Sequence, residues 1–361
     1  MSIRQIVRSF DAWRERGAAM VMATVYETEG STYSKAGHRI LIADDGEYQG
    51  LVSGGCLEGD IAARARTVLA AHAPSAVTYD LRDEADDPWG LGVGCNGLIR
   101  VFLQPLSADA DYEPFSSIAR TASAHRAAVV ASVITPGRTE AVAGATMIWQ
   151  PSATWTWGID EQLGERLRHA CSRCLKSGSA SYQLDAEGLG ILCAPLIPVP
   201  RLLVLGAGLD AVPLVNMAAE LGWSVSVADH RPAYLERGGF AAADRVLNPD
   251  PRKLAQEVEL DQFDAVIVMS HHLITDRIYL AQLVDADIGY VGLLGPAGRR
   301  ERLLDELGAA GRELQPRLKG PAGLDIGAQA PETIALSILA EMQACLSSAT
   351  GRPLTPTTSA Q

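Results

Sequence analysis

The apolar positions in the first half of the chain predict helices that alternate with short strands. A helical spacing of apolar residues opens the chain, at Ile3, Ile6, Val7, Phe10 and Trp13. Further apolar runs predict strands over residues 20–28, 39–42, 48–52, 76–81, 98–103, 127–134, 145–149 and 188–195. Helices are predicted over 57–70 and 159–175. This order predicts an N-terminal α+β module over 1–195, with a sub-boundary near 105–112.

A proline-rich segment, Pro195-Leu196-Ile197-Pro198-Val199-Pro200, separates this module from the second half, because proline cannot donate to a helix or a sheet. Strands predicted over 201–205, 224–228, 265–269 and 289–293 then alternate with helices, two of them over 273–283 and 298–307. This alternation predicts a Rossmann-like, doubly wound parallel sheet over 196–346. The Ser-, Thr- and Pro-rich residues 347–361 are predicted to be a disordered tail.

The composition narrows the class of protein. A formal net charge of −12 argues against a general nucleic-acid or anionic-membrane binder, since both need clustered Lys and Arg. The opening helix is amphipathic and is not a signal peptide, and the apolar stretches are shorter than the ~20 residues that span a bilayer. We therefore expect a cytoplasmic protein. Its six cysteines are interpreted as thiols and not as a disulfide framework.

One motif combines a thiol with an anion-binding backbone. Ser53, Gly54, Gly55 and Cys56 join a predicted strand to a predicted helix, whose unpaired N–H groups and dipole stabilise a thiolate or a bound phosphate. Glu58 is either a hydrogen-bonding group for a ligand ring or a favourable acid in the first helical turn. The alternative for the cysteine is a small buried hydrophobe beside a tight turn.

A second cysteine lies among glycines in a similar way. Gly94 and Cys95 belong to the segment Gly92-Val93-Gly94-Cys95-Asn96-Gly97, whose glycines allow a ligand to approach the backbone closely. The pair Cys171 and Cys174 falls late in a helical pattern with no second ligand pair nearby. It is therefore interpreted as incidental, and zinc is not expected there.

The second half carries a dinucleotide-type turn. Gly206 and Gly208 follow a strand and precede a helix, and Asp229 ends the next strand, where an acid binds ribose in dinucleotide-binding domains. The alternative is a turn kept for packing alone. His271 follows another strand, at the edge where parallel sheets bind ligands. It is a site residue, or else one imidazole of the pair His271 and His272 caps a nearby backbone group and the other is solvated.

Two adjacent arginines open a later predicted helix. Arg299 and Arg300 combine with free helical N–H groups in a way that can grip phosphate. We favour instead a solvated helix face on which Glu301 and Asp305 pair with them.

These separate motifs resemble those of the xanthine dehydrogenase accessory factor family (XdhC/CoxI). In the first half the resemblance rests on Ala23-Thr24-Val25, Gly30-Ser31, Ser53-Gly54-Gly55-Cys56-Leu57-Glu58 and Gly94-Cys95-Asn96-Gly97. In the second it rests on Gly206-Ala207-Gly208, Asp229-His230-Arg231, Met269-Ser270-His271-His272, Tyr290-Val291-Gly292-Leu293-Leu294-Gly295 and Gly323-Leu324-Asp325-Ile326-Gly327. The chain departs from the family pattern at Asn96 and at Ser34-Lys35.

The resemblance implies a protein that carries a cofactor, a chaperone more than an enzyme. It implies that the chain binds molybdopterin (the molybdenum cofactor, or its cytosine dinucleotide form), while a cysteine desulfurase supplies sulfur and an apo molybdenum hydroxylase of the xanthine dehydrogenase type receives the cofactor. Cys56 or Cys95 would contact molybdenum or receive sulfur, and a homodimer is expected. The first alternative is an NAD(P)-dependent oxidoreductase that uses Gly206, Gly208 and Asp229, and a pure docking scaffold is the second.

Overall fold

The computed structural model describes residues 3–82, 97–124, 126–138 and 141–355. The chain divides into two compact units, Met1–Val199 and Pro200–Gln361. The predicted Gly94 and Cys95 site lies outside the described residues, as does the end of the predicted disordered tail, from residue 356 onward. In the described part of the chain, every helix is too short or too polar to cross a membrane.

The first unit contains four α-helices and ten strands among its described residues. The helices are α1 (Ile3–Glu15), α2 (Glu58–Ala71), α3 (Phe115–Ser123) and α4 (Glu161–Ser177). The strands are β1 (Met20–Gly30), β2 (Arg39–Ala43), β3 (Tyr48–Gln49), β4 (Ser75–Asp80), β5 (Gly97–Leu106), β6 (Ala128–Pro136), β7 (Thr146–Gln150), β8 (Ala153–Trp157), β9 (Ser181–Leu184) and β10 (Leu189–Leu196). They form two antiparallel sheets, in the orders β3-β2-β1-β5-β4 and β8-β7-β6-β10-β9.

The two sheets of the first unit share an apolar core. Alternate residues of β1 point to opposite faces, so that Met20 and Met22 pack with α1 and α3 while Val21 and Ala23 pack with α2. Val130 of β6 joins the same core as α1 and α3. The opposite face of the second sheet is covered by α4. The helices α2 and α4 thus lie on the outer faces, and α2 brings its N-terminus to the loop after β3.

The second unit is a six-stranded parallel sheet with helices on both faces. Its strands are β11 (Arg201–Leu205), β12 (Ser224–Ala228), β13 (Arg245–Leu247), β14 (Ala265–Val268), β15 (Tyr290–Leu293) and β16 (Leu318–Lys319), in the order β13-β12-β11-β14-β15-β16. Its helices are α5 (Ala211–Glu220), α6 (Pro232–Glu236), α7 (Leu254–Glu257), α8 (Leu273–Gln282), α9 (Ala297–Leu307), α10 (Ala309–Leu314) and α11 (Pro331–Leu346). This order is that of a dinucleotide-binding fold.

Both faces of the parallel sheet are buried at its centre, which explains the apolar runs in its central strands β11 and β14. Leu202 and Val204 pack with α5 and α11, while Leu203 and Leu205 pack with α8 and α9. The structure therefore confirms the predicted fold class, an α+β module followed by a Rossmann-like doubly wound sheet. The carboxyl ends of β11 and β14 are adjacent in the sheet, and they bring the glycine turn beside the histidine loop.

The third predicted strand is shorter in the structure than the sequence pattern indicates. The strand β3 ends at Gln49, because Gly50 adopts a φ of 128° and a Cβ there would lie 2.5 Å from Cγ2 of Ile40. Only glycine allows the backbone to pack this closely against β2. The hydrogen-bonded pairing of β3 with β2 ends here, and the chain enters the loop that leads to α2. The strands β8 and β9 are not among the predictions, since both carry mostly exposed or half-exposed residues and show no apolar run.

The two helical glycines of the second unit predict opposite stability effects. A Cβ at Gly311 would lie 2.1 Å from the Leu304 carbonyl oxygen, whereas nothing lies within 4 Å of a Cβ at Gly298. We expect Gly311→Ala to lower the free energy of unfolding by about 2–3 kcal/mol through overpacking. Gly298→Ala, the matched control, should leave it unchanged or raise it by up to about 1 kcal/mol. Urea denaturation measures the change in the free energy of unfolding for both variants. Equal changes would contradict the close packing of Gly311 against Leu304.

Candidate functional site

The loop between β3 and α2 is built around one buried carboxylate. Glu58 is completely buried, and its Oε1 accepts hydrogen bonds from the backbone N–H groups of Val52 at 2.7 Å and Ser53 at 2.9 Å. Its Oε2 accepts from the Gly55 N–H at 3.0 Å and from the Ser53 hydroxyl at 2.7 Å. The amide donors that the sequence offers to an external anion are therefore largely occupied by a side chain of the same loop.

The surroundings of Glu58 favour its charged form. Burial by itself raises the pKa of the Glu58 carboxyl, but hydrogen bonds from Ser53 and from the Val52 backbone outweigh burial and lower the pKa below its ordinary value. A charged acceptor forms shorter and stronger hydrogen bonds than a neutral one. The loop is consequently held by a permanent internal anion at neutral pH.

Two of the predicted ligand contacts are corrected by this arrangement. Ser53 is 7% exposed, and its hydroxyl donates to Glu58 while it accepts from the Leu57 N–H at 2.7 Å. The side chains of Ser53 and Glu58 face each other and not the solvent, so neither is presented to a ligand. Their function in the structure is to fix the backbone of the loop.

The tip of the loop is exposed and carries the thiol. Gly54, Gly55 and Cys56 are exposed, and both glycines have positive φ values, 78° and 117°. The ring of Tyr33 lies beside Gly54, at 3.5 Å from a Cβ placed there, and Tyr33 is 59% exposed. The interpretation of Cys56 as a small buried hydrophobe is therefore wrong. Tyr33 was missed from the sequence, because an isolated tyrosine in a loop gives no signal of its own.

A buried cation in the same unit was also missed from the sequence. Arg39, at the start of β2, is 8% exposed, and in the described part of the chain its Nε has no hydrogen-bond partner. Burial lowers the pKa of its guanidinium to about 10. Buried side-chain donors are ordinarily hydrogen-bonded, and strongly perturbed titratable groups concentrate at functional sites. The only sequence signal was a charged residue at the start of an otherwise apolar strand.

In the second unit the glycine turn packs against the neighbouring strand end. Gly206 is buried with a φ of 132°, and a Cβ there would lie 2.5 Å from the Met269 carbonyl oxygen. Only glycine permits this approach of β11 to the loop after β14. Gly208 is partly exposed, and a Cβ on it would meet Oδ1 of Asp210 at 2.4 Å. Gly206 is thus required by the local backbone, with or without a ligand, whereas the atom nearest to a Cβ at Gly208 belongs to a flexible side chain that can move.

Asp229 follows β12, at the position of a ribose-binding acid, but its carboxylate is turned into the protein. Its side chain is completely buried and accepts a hydrogen bond from the Ala207 N–H at 2.8 Å. Arg231 donates to both of its oxygens, at 2.9 and 2.7 Å, and also lies 3.6 Å above the ring of Tyr234. Burial alone raises the pKa of Asp229, but the hydrogen bonds from Arg231 and Ala207 lower it. The predicted ribose contact is corrected: this carboxylate holds the glycine turn.

The exposed polar group at this edge is a histidine paired with an acid. Nε2 of His271 lies 2.8 Å from Oδ2 of Asp210, the residue before α5, and His271 adopts a φ of 60°. Its neighbour His272 caps α8 by accepting from the Thr275 N–H, which confirms the capping interpretation for one of the two histidines. Asp210 was missed because an acid at a helix start is ordinarily a cap, whereas this one reaches across to His271.

The arginines that open α9 do not pair as predicted. Nη2 of Arg299 lies 2.6 Å from Oδ2 of Asp276, which is 1% exposed and also accepts from the Ser270 hydroxyl. Arg300 donates to the carbonyl oxygens of Leu318 and Gln315. The expected pairs with Glu301 and Asp305 are therefore wrong, because both guanidinium groups point back onto the fold, towards Asp276 and two backbone carbonyl oxygens.

Each unit thus brings together its own group of exposed chemistry. The first presents a thiol and two glycines on the loop before α2, with the ring of Tyr33 from the β1–β2 segment beside them, and the second presents the pair of His271 and Asp210 beside the glycine turn. A thiol is a soft ligand and a nucleophile. A histidine that is oriented by a carboxylate can transfer a proton or bind an anion.

Two family models match the chain. The model described as the XdhC Rossmann domain matches residues 202–342, and the model of the XdhC and CoxI family matches residues 13–80. The first match covers most of the parallel sheet, and the second covers the loop with Cys56.

Relatives match over almost the whole chain. A protein of Bacillus subtilis named as a probable xanthine dehydrogenase subunit is 33% identical over 334 residues, which are 92% of this chain and 94% of that protein. The molybdenum cofactor insertion chaperone PaoD of Escherichia coli is 22% identical over 90% of this chain and 83% of its own length. A crystal structure of a xanthine dehydrogenase from Bacillus halodurans has a TM-score of 0.77 and 29% identity, over 96% of this chain and 97% of that chain.

Removal of the Glu58 charge should loosen the loop. Glu58→Gln replaces an acceptor of four hydrogen bonds by an amide that presents an NH₂ group to backbone donors. We expect a loss of about 2–3 kcal/mol in the free energy of unfolding. Glu161→Gln, at an exposed acid in the first turn of α4, is the matched control and should cost less than about 0.5 kcal/mol. Similar losses in both variants would contradict the described role of Glu58.

The lowered pKa of Glu58 predicts how the free energy of unfolding depends on pH. The pKa of Glu58 is lower in the folded chain than in the unfolded one. The charged carboxylate therefore contributes fully to the free energy of unfolding above the unfolded pKa of about 4.3, and this contribution is lost as the pH falls through the folded pKa. The stability difference between the wild-type chain and Glu58→Gln should be constant from about pH 8 to about pH 5.5, and should shrink below about pH 4. Denaturation at a series of pH values measures it. A difference that grows on acidification would show that the sign is wrong.

Proposed function

The chain belongs to the XdhC and CoxI family, and from this premise we propose that it is a molybdenum cofactor-binding chaperone. It protects the cofactor, supports its sulfuration and delivers it to a molybdenum hydroxylase of the xanthine dehydrogenase type. The observation that carries the proposal is the exposed Cys56 on a loop whose backbone is fixed by Glu58. The name of the Escherichia coli relative, a molybdenum cofactor insertion chaperone, supports the same role.

The residues at the loop tip suit one part of this cofactor. When bound, the cofactor supplies a molybdenum centre that carries sulfur ligands, and the thiolate of Cys56 is a soft donor of matching chemistry. The exposed ring of Tyr33 offers an aromatic face to a pterin beside Gly54. The amides of Val52, Ser53 and Gly55 are bound to Glu58, so we assign no phosphate to them.

We further propose a phosphate- or nucleotide-binding site on the second unit. Ligands of doubly wound sheets bind at the carboxyl ends of the strands, which is where Gly208 and His271 lie. His271 is 58% exposed at its side chain, and its imidazole offers a hydrogen-bonding group to such a ligand. The pyrophosphate of the cytosine dinucleotide form of the cofactor is a ligand of this chemistry.

The proposal includes partners. A cysteine desulfurase supplies the sulfur, an apo molybdenum hydroxylase receives the sulfurated cofactor, and the chaperone acts in the cytoplasm as a homodimer. The name of the Bacillus subtilis relative, which refers to xanthine dehydrogenase, supports the choice of hydroxylase. Exposed Cys56 and exposed Tyr33 are the groups that a desulfurase would approach on the first unit.

A second candidate function is favoured by one observation in the second unit. The pair of His271 and Asp210 beside the Gly206 turn has the composition of an acid–base pair of an NAD(P)-dependent oxidoreductase. Against it stands the burial of Asp229, the acid that follows β12, where dinucleotide-binding domains contact ribose. The oxidoreductase therefore ranks below the chaperone.

The cofactor content of the purified protein tests the proposed function. The wild-type chain, Cys56→Ser and Cys345→Ser are purified from cells that make the cofactor, and molybdenum, released pterin and released nicotinamide are measured. We expect molybdenum and pterin near one per chain in the wild type, and a loss of at least about tenfold in Cys56→Ser, which corresponds to ~1.4 kcal/mol of binding free energy.

Cys345 is the matched control, since it is also an exposed cysteine but lies at the end of α11 in the other unit. Its replacement should leave the cofactor content unchanged. Cofactor at wild-type level in Cys56→Ser would remove this thiol from the proposal. Nicotinamide without pterin in the wild-type chain would favour the oxidoreductase.

A further inference from the structure

The second sheet of the first unit ends in an exposed edge strand. The strand β9 lies at one edge of this sheet and pairs with β10 on its inner side. The apolar core under α4 is built from residues of β6, β7 and β10. Three of the four residues of β9, namely Ser181, Gln183 and Leu184, are exposed. The strand β9 therefore extends the sheet beyond the part that α4 covers.

The free side of β9 presents backbone groups that β10 does not bind. In an antiparallel pair, residues that exchange hydrogen bonds with the partner strand alternate with residues whose N–H and C=O groups point away from it. The N–H group of Asp185 donates to the Leu189 carbonyl oxygen, and this bond sets the alternation along β9. The N–H and C=O groups of Tyr182 and Leu184 consequently point to the free edge, where a further strand can bind them.

The sequence of β9 does not protect this edge. Edge strands ordinarily carry Lys, Pro, a bulge or an inward-pointing charge, which prevents another chain from pairing with them. The sequence of β9 is Ser-Tyr-Gln-Leu, its pairing with β10 is regular, and Leu184 is 61% exposed. An unprotected edge is a template for strand addition, in which backbone hydrogen bonds supply affinity and neighbouring pockets supply specificity.

A groove of about 810 Å³ lies between α4 and β9. Its floor is apolar and includes Leu167 of α4 and Ile191 of β10, while Ser181 and Gln183 of β9 line its outer side. Side chains directly opposite each other on paired strands point to the same face of a sheet. Every second side chain of a strand added to β9 would therefore point into this groove.

The α4 side of the groove is basic. Arg166 and Arg173 line it, and Nη2 of Arg166 lies 2.8 Å from the carboxylate of Asp185, another lining residue. Arg173 has no acidic partner in the part of the chain that the structure describes, and neither has Lys176 at the end of the same helix. Both side chains are exposed, in a chain whose formal net charge is −12. An acidic segment complements this local positive charge.

We propose that the edge of β9 and the groove beside α4 bind an extended, acidic segment of a partner protein, which adds to the second sheet as a sixth strand. The observations that carry the proposal are the unprotected edge of β9 and the exposed charges of Arg173 and Lys176 beside it. The surface belongs to the second sheet, whereas Cys56 precedes α2 on the first sheet, so the proposal does not rest on a contact between Cys56 and the cofactor.

A second copy of this chain fits the edge less well than an acidic partner. Antiparallel pairing of β9 with β9 of another copy relates the two sheets by a two-fold axis perpendicular to them. The two α4 helices then lie on the same face of the joined sheet, each with its own Arg173 and Lys176. The like charges repel each other, whereas an acidic strand is attracted.

A phage-displayed library of short random peptides, selected on the native full-length chain, is the probe. We expect the selected peptides to be rich in Asp and Glu that alternate with apolar residues. Fluorescence anisotropy with a labelled synthetic copy of one of them then measures its Kd. Arg173→Gln should weaken binding several-fold. Arg168→Gln, the matched control on the same helix, removes an arginine that already pairs with Glu165 and should leave the Kd unchanged.

Amide exchange measures the strand addition itself. Binding of the selected peptide should slow hydrogen–deuterium exchange at Tyr182 and Leu184, and leave Gln183, whose groups face β10, unchanged. Leu184→Pro removes one donor from the free edge and no hydrogen bond between β9 and β10. It should therefore weaken peptide binding at least as much as Arg173→Gln does.

The proposal is overturned if the selection yields no acidic peptides, or if a selected peptide binds and leaves exchange at Tyr182 and Leu184 unaltered. A wild-type dimer that Leu184→Pro dissociates would instead assign the edge to a second copy of this chain. None of these readouts involves the cofactor, so their failure is distinct from a failure of the proposed chaperone function.

Discussion

The hydrogen bonds from the backbone of Val52, Ser53 and Gly55 to the Glu58 carboxylate are the constraint on which the proposed site depends. Two consecutive glycines with positive φ would otherwise leave this segment with many accessible conformations. A buried anion that accepts from the backbone selects one of them. The consequence is that Cys56 is exposed at a fixed position ahead of α2, which is what a thiol needs in order to contact a ligand repeatedly in the same geometry.

The second unit also uses a buried carboxylate to hold a turn. Asp229 is buried and accepts from the Ala207 N–H and from Arg231, as Glu58 accepts from its own loop. In both units the carboxylate stabilises the backbone that surrounds the site, and the groups left to solvent are of another kind, a thiol in one and the imidazole of His271 in the other. An acid in a glycine-rich motif is therefore a poor guide to ligand contacts until its burial is known.

The fold could be predicted from the sequence because its strongest signals are local. The strands β11 and β12 were predicted to the residue, since β11 is an apolar run after a proline and β12 alternates serine and valine before an acid. The strands β8 and β9 were missed although their residues alternate, because both are short, mostly exposed and without an apolar run. At the site, Cys56 followed from its motif, but the roles of Glu58 and Asp229 depend on which atoms fill the nearest donors. The pairing of Asp210 with His271 joins residues 61 positions apart, which no local pattern encodes.

Contact between the loop tip of the first unit and the molybdenum cofactor is the central claim, and hydrogen–deuterium exchange tests it most directly. Amide exchange is compared between the purified chain and the same chain saturated with isolated molybdenum cofactor. We predict slower exchange on binding within residues 54–57 at the amides of Gly54 and Cys56. Little change is expected at Val52, Ser53 and Gly55, whose amides already donate to Glu58, or at Leu57, whose amide donates to the Ser53 hydroxyl. Protection confined to residues of the second unit, with exchange at 54–57 unaltered, would contradict the claim.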